Sequence, residues 1–181
     1  MLPDAATLEP VPAPVVSRPA LPEGYGLPDD DAGVLAWPEV EARLAASLHY
    51  WLATVRPDGR PHLVPRWGVW LDGRFWYDGA PTTRHARNLH TNPNVALSLE
   101  DGREAVMIEG ASQAVRVPVS GPGSLGERLA EAFGKYHAHD YAPAADTWAD
   151  HHGGGLRTIT PIRAMAWFDF PKDCTRFTWH H

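Results

Sequence analysis

The chain has 181 residues, 44% of them hydrophobic, and a formal net charge of −6. That length suits one domain with a true core and excludes wholesale disorder. No apolar run approaches the roughly 20 residues that cross a bilayer, and the single cysteine, Cys174, excludes an internal disulfide and a thiolate-rich metal site.

Charge is unevenly placed. Residues 1–36 hold Asp4, Glu9, Glu23, Asp29, Asp30 and Asp31 against Arg18 alone, a net of −5 that leaves −1 for the rest. A nearly neutral body without a basic face argues against nucleic acid as a partner. The same 36 residues contain seven prolines and almost no hydrophobic period. Proline removes backbone donors and restricts the residue before it, so this segment reads as an extended acidic arm ahead of a domain at 37–181. Its first ten residues, MLPDAATLEP, have neither the basic nor the apolar region of a secretory leader. The expected compartment is the cytoplasm, although one cysteine also fits an oxidising one.

WPEVEARLAASL (Trp37–Leu48) predicts a helix. Pro38 suits a first helical position, Glu39 and Glu41 suit the first turn, and Val40, Leu44 and Leu48 form one stripe. Strand patterns follow. YWLATVR (Tyr50–Arg56), the turn PDGR and PHLVPRWGVW (Pro61–Trp70) predict two strands of a meander, and LDGR then turns the chain into FWYDG (Phe75–Gly79). The two Asp-Gly pairs are turn formers rather than acid–base groups. Trp70 and Trp76 are expected in the core.

GAPTTRHARNLHTNPNVAL (Gly79–Leu97) concentrates cationic and hydroxyl side chains in an acidic chain. A helix starting near Thr83 can be capped by Thr82 or Thr83. At about 100° per residue, Arg84, Arg87, Asn88 and Thr91 share one face, Ala86 and Leu89 point toward a core, and His85 sits at the border. A helix N-terminus with two guanidinium forks suits phosphate, but on spacing alone the ordinary capped, solvated face is the stronger reading.

NVALSLE (Asn94–Glu100) predicts another strand. EAVMIEGASQAVRVPV (Glu104–Val119) predicts a strand long enough to bend around a barrel, with Gly110 as a bulge or close approach. Gly123–Tyr141 reads as a helix with Leu125, Leu129 and Phe133 on one stripe, and Ser124 near its cap. LRTITPIRAMAWFDF (Leu156–Phe170) predicts two closing strands around Pro161. The sum is at least six antiparallel strands with inserted helices, an α+β barrel. HAHD (His137–Asp140) and His151–His152 are weak metal candidates, because His137 and His139 do not share a helix face. They read better as surface or interface histidines, and no metal is expected.

Several of these stretches resemble one family. The turn PDGRP, the strand pair PRWGVWLDG, the helix start TRHARNL and the strand NPNVAL, followed by VMIEGAS and AWFDF…TRFTW, are similar in order to the pyridoxamine 5'-phosphate oxidase-like split barrels. The likeness is greatest to their flavin- and deazaflavin-dependent oxidoreductase branch. It covers roughly residues 37–179. The resemblance implies a homodimeric six-stranded antiparallel split β-barrel with flanking helices, α+β in class. It implies FMN or coenzyme F420 in a groove between subunits, and hydride transfer to or from a small organic substrate. By position, Thr82, Thr83, Arg84 and Arg87 would hold the cofactor phosphate within the segment Thr82–Asn88, which also contains His85 and Asn88. The strand Val64, Pro65, Arg66 and Trp67 would line the ring through its backbone and the Trp67 side chain. Many members carry lysine where this chain has His85. That departure, with no evident proton donor, keeps a second reading open: a non-catalytic carrier of a flavin, haem or other planar ligand. No catalytic residue is assigned, because hydride transfer is the cofactor's chemistry.

Overall fold

The computed structural model describes residues 1–118 and 121–180. The expected features at Val119 and His181 lie outside the described residues. Among these, nine strands and three α-helices make an α+β fold. In chain order they are β1 (Val15–Ser17), α1 (Trp37–Ala46), β2 (Tyr50–Val55), β3 (Pro61–Arg66), β4 (Val69–Leu71) and β5 (Arg74–Tyr77). Then come α2 (Arg84–Thr91), β6 (Asn94–Leu99), β7 (Ala105–Ala114), α3 (Leu125–Phe133), β8 (Arg157–Trp167) and β9 (Thr175–Thr178). All strand pairs are antiparallel in the order β1-β9-β8-β7-β6-β2-β3, with β5 joining β4 to β8.

The count of nine exceeds six for local reasons. The run PHLVPRWGVW is broken at Trp67–Gly68 into β3 and β4. A Cβ at Gly68 would lie 2.2 Å from the Phe75 ring, and the Gly68 N–H donates to the Tyr136 hydroxyl at 2.9 Å instead of to a strand. The arm contributes β1, which pairs with β9. Apart from one short 3-10 turn at Ala5–Thr7 it is irregular, with bends between 23 and 33, and it is held down by polar bonds. Ala5 N–H donates to Arg116 O at 2.9 Å, Arg116 N–H donates to Pro3 O at 3.0 Å, and the Arg18 guanidinium donates to the carbonyls of Asp30, Ala32, Lys172 and Cys174.

Two strands in from β1, Pro161 does not divide β8. The β7–β8 ladder shifts register between Glu109 and Gly110, with Gly110 opposite Pro161 and Glu109 opposite Arg163, so Ile162 is the extra residue of a bulge. Proline is tolerated where the ladder is interrupted. Gly110 is required on the facing strand, since a Cβ there would lie 2.3 Å from Thr160 O.

Two helices are shorter than their patterns. Helix α1 stops at Ala46, so Leu48 falls outside the stripe and is exposed, while Val40 and Leu44 are buried. Lys135 Nζ donates to the Ala45 and Ser47 carbonyls at 3.2 and 2.6 Å and closes that end. Helix α3, capped by Ser124 Oγ accepting from Glu127 N–H, changes at Gly134 into a tighter turn that runs to His139.

Strand β5 positions the core. All four of its residues are buried, and their period of two sends Phe75 and Tyr77 into one cluster with Tyr50, Leu52, Leu97 and Ile108. Trp76 enters a second cluster with Trp148, Phe133, Tyr136 and Leu129. Trp70 packs in the first. Among the described residues, no helix is long and apolar enough to cross a membrane.

The bulge gives a direct test. Gly110→Ala is expected to lower unfolding free energy by about 2 kcal/mol or more in urea denaturation. Gly102→Ala, with open space around the site, is expected to change it by no more than about 0.5 kcal/mol.

Candidate functional site

The chain leaves β5 at Asp78–Gly79, and a groove opens there. Its volume is about 370 Å³, and it is lined by Pro65, Arg66, Trp67, Asp78, Gly79 and Tyr141. Strand alternation puts His62, Val64 and Arg66 on the half-buried side of β3. Arg66 Nη2 donates to the Asp78 carbonyl, and the guanidinium lies 5.3 Å from the Tyr77 ring centroid. Arg66 Nε is buried without a hydrogen-bond partner among the described residues. Space is tight here: a Cβ on Gly79 would lie 2.9 Å from Arg66 Nη2.

The Asp78 carboxylate is already engaged. Its Oδ2 accepts from the Tyr141 hydroxyl and, at 2.8 Å, from Trp148 Nε1. Burial first, and then that bond to Asp78, raises the Tyr141 pKa, so its hydroxyl keeps its proton. Trp67 is partly exposed at the groove edge and stacks on Tyr136, with centroids 5.0 Å apart and planes at 18°. His139 and Tyr141 flank it at 5.6 and 6.0 Å.

Helix α2 begins five residues beyond Gly79. Thr83 occupies its N-cap position, yet makes no side-chain cap; its Oγ1 lies 3.3 Å from His85 Nε2 instead. His85 is only 4% exposed, with its ring 6.0 Å from Tyr77. Its pKa is pushed down to about 4, by burial first and then by the charges of Arg66, His62 and Arg157. His62 Nδ1 is buried without a hydrogen-bond partner among the described residues. Arg157, also buried, donates from Nε to Ser112 Oγ at 3.1 Å, and the Tyr77 hydroxyl lies 3.4 Å from the same oxygen. Arg66, Arg84, Arg87 and Arg157 form no ion pair among the described residues. Arg66 and Arg157, which both act on His85, are thus left without a carboxylate partner, and such local positive charge favours a nearby anion.

Comparison with known proteins agrees with this architecture. Residues 36–167 match the family model described as pyridoxamine 5'-phosphate oxidase. The chain belongs to that family. Three solved structures share its fold. A conserved hypothetical protein from Mycobacterium tuberculosis is 24% identical, with a TM-score of 0.55 over 75% of this chain and 87% of that one. A heme binding protein from Mycobacterium smegmatis is 21% identical, with a TM-score of 0.52 over 76% and 56%. A FAD-binding protein from Mesorhizobium loti is 19% identical, with a TM-score of 0.50 over 80% and 96%. Among curated proteins, no sequence matches this chain.

In this pyridoxamine 5'-phosphate oxidase family member, the residues expected at a cofactor site divide into three groups. Pro65, Arg66 and Trp67 line the groove, whereas Val64 packs against the main core. Thr82, Arg84 and Arg87 are exposed, and the two arginines carry no hydrogen bond or ion pair among the described residues. His85 and Asn88 are buried. Asn88 leaves the cationic face expected for it: the core-facing side of α2 runs through Asn88, His85 and Leu89. Its Nδ2 donates to Thr54 Oγ1 at 2.9 Å, and its Oδ1 is buried without a partner among the described residues.

Sequence reasoning missed His62, Asp78, Ser112, Tyr141 and Arg157. The period of two along β3 contains the signal for His62 beside Arg66. Arg157 gives none, because the first three residues of β8 are all buried and its alternation is lost. Ser112 and Tyr141 reach the site from positions distant in the chain.

The depressed His85 value sets a pH dependence. The folded value, about 4, lies below the ordinary 6.5, so the unfolded chain takes up this proton first as pH falls. The contribution is intact above pH 6.5 and is lost between 6.5 and about 4, on the order of 3 kcal/mol in all. His85→Gln is expected to flatten that part of the thermal stability profile. Parallel decline of wild type and variant from pH 7 to 4 would contradict it.

Proposed function

We propose that this family member is a flavin-type oxidoreductase, binding FMN or coenzyme F420 in the groove and passing hydride to or from a small organic substrate. The observation that carries this reading is the pair of exposed guanidinium groups, Arg84 and Arg87. They stand unpartnered on the first turn of α2, just past the groove segment Asp78–Gly79. Guanidinium forks at a helix start match the oxygens of a phosphate. The orphaned Arg66 Nε and His62 Nδ1 are further donors for an anionic group. Pro65, Arg66 and Trp67 would bound the ring. Bound flavin or deazaflavin supplies the hydride chemistry; the chain supplies binding, orientation and exclusion of water.

A second copy of the chain is part of the proposal. The outer side of β2 and β3 presents Trp51, Val55 and Leu63 to solvent, with Leu63 60% exposed. Trp51 is paired with Pro65, so this apolar face borders the groove. An apolar sheet face of that kind is expected to be covered.

One observation favours the carrier reading. His139 stands exposed 5.6 Å from the Trp67 ring, beside the groove edge, and offers an imidazole to a haem iron.

Fluorescence titration separates these readings. FMN or coenzyme F420 is expected to bind at micromolar concentration, and failure of both overturns the oxidoreductase proposal. Arg87→Ala is expected to weaken FMN about 10- to 100-fold, the equivalent of one charge-assisted bond, and to leave riboflavin nearly unchanged. Equal loss for both ligands shows that Arg87 does not read the phosphate. A haem absorption band that disappears in His139→Ala favours the carrier. Leu63→Glu is expected to convert a dimer to a monomer in sedimentation.

A further inference from the structure

A second hollow adjoins the groove across Gly79, between α2 and the turn that precedes β8. Its volume is about 570 Å³, and its walls include Tyr77, His85, His90, His151, His152 and Arg157. None of its lining residues is Asp or Glu, in a chain whose acidic residues outnumber its Lys and Arg by 22 to 16. Asp150, on the same turn, is outside the lining; its Oδ1 accepts from the backbone N–H groups of His152 and Gly154. We infer that this cavity is an anion site for a small molecule bearing a compact dianionic group, either a phosphate monoester or a dicarboxylate.

Arg157 is the anchor of the argument. It is 8% exposed, and its hydrogen bonds go to Ser112 Oγ and Ser112 O, both uncharged. A buried guanidinium without a counter-ion is costly, and an oxyanion in the adjoining space offsets that cost. The His151 and His152 rings lie 3.8 Å apart at the same cavity. The turn carrying them is clamped against the far wall: a Cβ on Gly155 would lie 2.0 Å from Gly79 O. A cation is disfavoured, since among the described residues no three His, Cys, Asp or Glu side chains converge as metal ligands.

This site is separate from the one proposed for a cofactor phosphate. At 100° per residue, Ala86 and His90, which wall the cavity, project about 110° around α2 from Arg84 and Arg87. The inference stands whether or not a flavin binds on the other flank.

Calorimetric titration of the full chain with inorganic phosphate and with malonate, against a chloride control, tests it. Saturable binding of either dianion is expected. His151→Gln/His152→Gln is expected to weaken it about 10-fold, as loss of two hydrogen-bond donors requires. Arg87→Ala is expected to leave it unchanged. Tighter phosphate identifies a phosphate monoester as the natural class, and tighter malonate a dicarboxylate. No saturable binding, equal displacement by chloride, or loss in Arg87→Ala overturns the inference. Imidazole carbon shifts of the wild-type protein give a readout that needs no variant. Phosphate-induced shifts confined to His85, His90, His151 and His152 support the site, and shifts confined to other histidines overturn it.

Discussion

The arrangement around the groove depends on one hydroxyl. Tyr136 Oη accepts from Gly68 N–H and lies within hydrogen-bond reach of the Gly68 and Leu48 carbonyls, at 2.8 and 2.7 Å. It therefore joins the segment before β2 to the break between β3 and β4. The same residue's ring stacks under Trp67. Fixing the break and supporting the indole are thus two functions of one side chain. Burial raises the Tyr136 pKa to about 12, so the hydroxyl remains a donor as well as an acceptor across ordinary pH.

Charge separation is the second constraint. The chain is acidic overall, yet several exposed carboxylates are paired with arginines, as Asp58 is with Arg60, Asp72 with Arg128 and Glu109 with Arg163. Such exposed pairs contribute little stability. The guanidinium groups of Arg66, Arg84, Arg87 and Arg157 are left out of this pairing. The Asp78 side chain at the groove accepts instead from two neutral donors, Tyr141 and Trp148.

Much of the architecture was legible where local chemistry decides it. Asp72 and Gly73 both adopt left-handed backbone, as an Asp-Gly hairpin turn demands, and Gly110 sits at the bulge its position suggested. The helix start at Thr83 was readable from its pattern. Its interior was less so, because Asn88 is drawn into the core by Thr54 on another strand. Helical periodicity carries no information about a partner 34 residues away. Similarly, the PRWGVW run has the composition of one strand, and only the tertiary contact of Gly68 with Phe75 and Tyr136 divides it. Pro161 reads as a strand breaker until its opposite neighbour is known. The cationic character of the site was visible at Arg84 and Arg87, while the contribution of Arg157 required the closure of β8 against β5 and β7.

Gly79 belongs to the linings of both the groove and the histidine-walled cavity. Its missing side chain makes room for Arg66 on one side, and its carbonyl meets Gly155 on the other. A substitution at this position would therefore disturb two compartments at once.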